Sequence, residues 1–200
     1  MKKLIIILSI LILVVCTVFA EDTCKVRIKT TINSQNPGFV LKAGLGPDAF
    51  DKAVSDEETY MLGWETIEKS IKENDVVVYF EVVQKGIART IGDKYSLTVE
   101  ASEMILGFKE DGSELDPNTK IYKTTKGRIT DLAPMGGERA IVAVSNVKTI
   151  EQDTATIVAE YKGSVADGTP IAKFTVTWPK DINAPDGIYQ ASVILKVSQQ

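Results

Sequence analysis

The chain has 200 residues, with 23 lysines and arginines against 27 aspartates and glutamates, and no histidine. The net charge of −4 disfavours nucleic acid and anionic membrane surfaces as partners, because both require a basic face. With no imidazole and only two cysteines there is no Ser-His-Asp arrangement and no metal site of the zinc or copper kind, so any catalysis would rest on carboxylates or lysines.

In chain order, Lys2 and Lys3 precede an apolar run over 4–15 broken only by Ser9, and Val18-Phe19-Ala20 stands before Glu21-Asp22. This is the order of a secretory signal: a basic start, an apolar stretch that enters the translocon, and small residues at the peptidase site. The sequence therefore predicts cleavage between Ala20 and Glu21, and a secreted, periplasmic or cell-surface address. A permanent anchor is disfavoured because the apolar stretch is shorter than the roughly 20 residues of a spanning helix. The competing route is acylation at Cys16, as in bacterial lipoproteins. Leu13-Val14-Val15-Cys16 matches the lipoprotein pattern of Leu, two small residues and Cys only at its ends, and membrane attachment follows on this route alone.

Removing residues 1–20 takes away two lysines and no acid, leaving 21 basic against 27 acidic groups, a net of −6. The remaining 21–200 is of a size that folds as one domain. It keeps one cysteine, Cys24, so no disulfide can form within it. Cys24 is either buried as a small apolar residue or pairs between chains.

Cys24, Val26, Ile28, Thr30 and Ile32 alternate with Lys25, Arg27, Lys29 and Thr31, the period of a half-buried strand. A short strand over 39–41 follows the Asn36-Pro37-Gly38 turn signal. Over 56–72 a short helix or irregular crossover is expected: Ser55 to Glu58 has the form of a capping box, and Tyr60, Met61, Trp64, Ile67 and Ile71 are spaced three to four apart. Gly63, Thr59 and Thr66 shorten any such helix. The run of β-branched and aromatic residues over 76–83 predicts a central strand, and further strands are expected at 87–91, 95–101, near 120–124, and at 140–147, 154–161, 172–178 and 188–197. Eight to ten short strands separated by Gly, Pro, Asp and Asn clusters predict an all-β sandwich.

No catalytic, cofactor or metal constellation stands out. Asp111-Gly112-Ser113-Glu114-Leu115-Asp116 has the acids of a calcium loop without its ligand order, and reads as a solvated turn. The other acidic clusters are at Asp48 and Asp51, at 56–58, and at Asp181 and Asp186; with 27 acids no carboxylate pair can be singled out. Gly136-Gly137 reads as a turn, and Trp178, which ends an alternating strand, as a core residue.

In the last third, Pro185, Gly187 and Tyr189 form a Pro-x-Gly-x-Tyr turn, followed by the alternating Val193, Leu195 and Val197. Over about 30 residues, 168–197, the chain resembles the ending of secreted bacterial immunoglobulin-like domains of the pilin and spore-coat-U type. The cysteine pair that such fimbrial domains carry is absent. The resemblance implies an immunoglobulin-like sandwich in a bacterial envelope, with no cofactor and a protein partner, either another copy or an envelope component. In one version the strand at 24–32 adds to a neighbour's sheet edge. The alternative is a carbohydrate-binding or carbohydrate-active module that uses exposed aromatics such as Trp64 or Trp178 with a carboxylate pair. Intact-mass measurement of the exported protein is expected to give a chain starting at Glu21; a diacylglycerol-modified chain starting at Cys16 would replace that reading.

Overall fold

The computed structural model describes residues 24–33, 38–47, 52–53, 60–62, 70–86, 89–135, 137, 140–145 and 153–200. Cys16, Ala20, Glu21, Trp64 and Gly136 lie outside these residues. Thirteen strands are described: β1 (Cys24–Asn33), β2 (Phe39–Gly44), β3 (Lys52–Ala53), β4 (Tyr60–Leu62), β5 (Val76–Gln84), β6 (Lys94–Ala101), β7 (Glu103–Phe108), β8 (Lys123–Lys126), β9 (Arg128–Pro134), β10 (Ala140–Ser145), β11 (Thr154–Tyr161), β12 (Pro170–Trp178) and β13 (Gly187–Gln199). They form two sheets, so the expected all-β sandwich is what the chain builds. One sheet runs β10-β11-β6-β13-β1-β4, with β7 and β8 continuing it beside β13; the other runs β3-β2-β5-β12-β9.

The alternation read from the sequence becomes the inner face of each sheet. Along β6, Tyr95, Leu97, Val99 and Ala101 are buried, and along β11 so are Ala155, Ile157, Ala159 and Tyr161. Opposite them stand Val76, Val78, Phe80 and Val82 of β5, with Phe174, Val176 and Trp178 of β12. All belong to one hydrophobic cluster. Phe80 and Phe174 face each other in the ladder and stack at 5.1 Å with their planes 9° apart. Each buried side chain of this size contributes about 1.5–3 kcal/mol, and closely packed aromatic pairs add to that.

Several expectations are revised. Tyr60–Leu62 of the segment expected to hold a short helix is a strand, antiparallel to β1, and 70–74 is a turn in which the Asn74 amide donates to the Ser70 carbonyl at 3.1 Å. The weak helix formers Gly63, Thr59 and Thr66 give helix little advantage there, whereas pairing supplies Tyr60–Leu62 with a ladder. The rest of 56–69 lies outside the described residues. Of the strand expected at 87–91, Ile87 and Ala88 lie outside the described residues, Arg89 forms an isolated bridge to Val165, and Thr90 to Asp93 turn the chain with Ile91 75% exposed. The strand number exceeds the expected eight to ten because short edge and continuation strands carry little hydrophobic periodicity.

Strands β6 and β7 form one long run against β13, broken at Ser102. Around that break the sheets are fastened together. The Trp178 indole N–H donates to the Ser102 carbonyl at 2.8 Å, the Gly127 amide donates to the same oxygen at 3.1 Å, and the Ser192 amide donates to the Ser102 hydroxyl oxygen at 2.8 Å. Gly127 has no room for a side chain: a Cβ would lie 2.7 Å from Val176 Cγ1 and 2.8 Å from Trp178 Cε2. Gly187, at the start of β13, has φ +145°, and its Cβ would lie 2.6 Å from the Phe108 carbonyl oxygen. Gly127→Ala is expected to cost about 2–3 kcal/mol through overpacking, and Gly187→Ala at least as much because backbone strain adds to the clash. Urea unfolding midpoints of the two variants measure both.

Candidate functional site

The first and last described strands pair with each other. Strand β1 runs parallel to β13 from Cys24 opposite Gly187 to Asn33 opposite Lys196, with no shift of register over ten residues. Among the described residues every other strand pair in the two sheets is antiparallel. Val26 is fully buried, as the alternation of β1 requires. On its other edge β1 meets, among the described residues, the three residues of β4, Ile28 to Thr30 opposite Leu62 to Tyr60. Among the described residues, 24–27 and 31–33 have no strand on that outer edge. Backbone donors and acceptors along such an edge can pair with an added strand.

A second cluster sits near the far end of β13, where Tyr95 of β6 faces Gln199. Arg89 is 3% exposed, and its guanidinium lies between two rings, 5.0 Å from the Phe39 centroid and 4.4 Å from that of Tyr95. Nη1 donates to the Tyr95 hydroxyl at 2.7 Å and Nη2 to the Gly38 carbonyl at 3.3 Å. Tyr161 stands edge-on to Tyr95 at 6.2 Å. Arg89 Nε and the Tyr161 hydroxyl are buried, and among the described residues neither has a hydrogen-bond partner of ordinary geometry, the Tyr161 hydroxyl interacting instead with the Arg89 guanidinium. Burial pushes the Tyr161 hydroxyl up to about 12, against the opposing pull of the Arg89 charge. One signal for this cluster is visible in the sequence, an arginine near apolar Ile87-Ala88 and Ile91, which is equally the signal of a strand.

Four of the acidic groups singled out in the sequence have partners within the protein. Asp111 accepts from the Ser113 hydroxyl at 2.6 Å and the Ser113 amide at 2.9 Å, and these bonds hold its carboxyl below the usual carboxylate range. Asp116 pairs with Lys109 at 3.0 Å, Asp186 with Lys72 at 2.6 Å, and Asp181 accepts from the Tyr122 hydroxyl at 2.7 Å. Asp48, Asp51 and 56–58 lie outside the described residues. Trp178 is 1% exposed, so its ring is core and presents no face to a sugar. A groove of about 590 Å³ is lined by Lys126, Arg128, Asp153, Lys180 and Asp181, among others. In it Lys126 and Asp153 form an ion pair that raises the lysine and lowers the carboxyl from their ordinary values.

Because unfolding restores an ordinary tyrosine pKa near 10, the raised value of Tyr161 fixes the sign of a pH effect. Between about pH 10 and about pH 12 the unfolded chain loses a proton that the folded chain keeps, so stability is full below this window and falls through it. Tyr161→Phe is expected to flatten that part of the stability–pH curve, measured by thermal melts across the window. Compared with protein-family models, with curated proteins and with solved structures, the chain finds no match in any of the three.

Proposed function

We propose that this is an exported, non-catalytic protein of the bacterial cell envelope or surface, of immunoglobulin-like build, which works by assembly through its N-terminal strand. The observation that carries the reading is the unshifted parallel pairing of β1 with β13. That ladder joins the first described strand to the last, and a copy of the same segment from a neighbouring chain could occupy the same register with the same backbone hydrogen bonds and the same buried Val26. The signal-like start and the histidine-free composition support an exported binding role over catalysis. The immunoglobulin-like assignment is supported by Tyr189, whose hydroxyl donates to the Pro185 carbonyl at 2.8 Å, four residues upstream at the entry to a strand, as in a tyrosine corner.

Arg27 and Gln190 are Cα partners in the parallel register and provide the test. A chain starting at Glu21 and carrying Cys24→Ser, Arg27→Cys and Gln190→Cys is oxidised at rising concentration and run without reductant. Disulfide-linked dimers and higher species that increase with concentration, and that vanish when 21–33 is deleted, are the expected result. A disulfide confined to single chains at every concentration, with a strict monomer by size exclusion, would overturn the reading.

A further inference from the structure

We propose that the side of the sandwich where β8 and β9 meet is a docking surface for an extended, acidic peptide segment of a different protein. The inference is independent of the assembly reading and starts from the backbone. Among the described residues β8 pairs with β7 alone and β9 with β12 alone, so each is an end strand of its sheet. Gly127 is the single residue between them, and two backbone edges therefore adjoin at one place. Such edges accept an added strand unless something blocks them. The groove of about 590 Å³ opens at this junction, lined by Thr125 to Arg128, by Asp153 and by Pro179 to Asp181.

Charge narrows the partner. From 117 to 130 the chain carries Lys120, Lys123, Lys126 and Arg128 and no acid, in a protein whose net charge is −4. Lys180 adds a fifth cation at the groove. Lys126 is paired with Asp153, and Asp181 is held by the Tyr122 hydroxyl, but no ion pair among the described residues includes Lys120, Lys123 or Lys180, all of them exposed. Lysines alone would read as a guard against strand addition. Here they are bordered by two exposed isoleucines, Ile121 at 58% and Ile182 at 72%, whose chain neighbours Tyr122 and Asp181 are joined by a 2.7 Å hydrogen bond. An edge built only to repel would not set apolar side chains at its rim. A second copy is disfavoured: its β8 would lay lysine against lysine, and its β1 would bring Lys25, Arg27 and Lys29. Nucleic acid and anionic bilayers call for a broad basic face, whereas this strip is bounded by Asp153, Asp181, Asp131 and the acids of 110–116. An acidic strand of alternating pattern places carboxylates beside Lys123 and Lys180 and covers the isoleucines with its apolar side chains.

The test is fluorescence anisotropy of a labelled peptide of about seven residues, alternating glutamate and valine, titrated with the chain starting at Glu21. One comparison peptide has lysine in place of glutamate, and another is methylated at alternate backbone nitrogens so that it cannot complete a ladder. The acidic peptide is expected to saturate, to lose about tenfold in affinity between about 50 and about 300 mM salt, and to bind at least about tenfold more tightly than either comparison peptide. Lys123→Glu and Lys180→Glu, both at exposed side chains and so expected to leave the thermal midpoint unchanged, should each weaken binding about tenfold. The doubly substituted chain should take the lysine peptide instead, and Lys25→Glu on β1 should change nothing. No saturable binding, equal affinity for the methylated peptide, no loss in Lys123→Glu and Lys180→Glu, or loss in Lys25→Glu would overturn the proposal. So would binding of phosphatidylglycerol vesicles that Lys123→Glu abolishes.

Discussion

The fold depends on satisfying both edges of one strand. β13 is thirteen residues long, lies inside the larger sheet and buries Tyr189, Ala191, Val193 and Leu195 against the other sheet. A strand buried on one face cannot leave a backbone edge unpaired without leaving polar groups unsatisfied beside the core. One edge is met by the bent run of β6 and β7, the other by β1 over ten residues. The chain's first described strand therefore completes the sheet that its last strand centres, which ties stability to the same ladder that we propose for assembly.

The two sheets are held by more than apolar contact. At Ser102 the long run bends, and the carbonyl this turns toward the core accepts the indole N–H of Trp178 and the amide of Gly127. The close approach of Gly127 to Val176 and Trp178 lets an irregular point in one sheet seat against a regular strand of the other. At the opposite end of β13, Arg89 joins Gly38, Phe39, Tyr95 and Val165 through hydrogen bonds, ring faces and a backbone bridge. One end is thus fixed by shape and the other by a buried charge.

Strands whose side chains alternate between core and solvent were legible in the sequence. Tyr95, Leu97 and Val99 predict β6, the alternation from 154 to 161 predicts β11, and Val193, Leu195 and Val197 predict the last part of β13. β9 was not, because it lies on an edge, buries Ile129 alone, and carries a register shift beside Asp131, whose φ is +54°. Alternation assigns a face and not a partner. The run from 172 and the run from 188 are adjacent in sequence and lie in different sheets, and nothing in the period of 24–32 indicated parallel pairing with the chain's end. The burial of Arg89 is not legible for a related reason: Ile87 and Ile91 point to a strand over 87–91, while burial of a cation leaves no periodic trace.

The pairing of β1 with β13 is tested most directly by amide hydrogen exchange, residue by residue, in the full chain and in Ile28→Pro, which interrupts the β1 ladder. In the variant, alternate β13 amides opposite β1 are expected to lose protection, while the intervening ones, which face β6 and β7, keep it. Unchanged protection at every β13 amide would contradict the account.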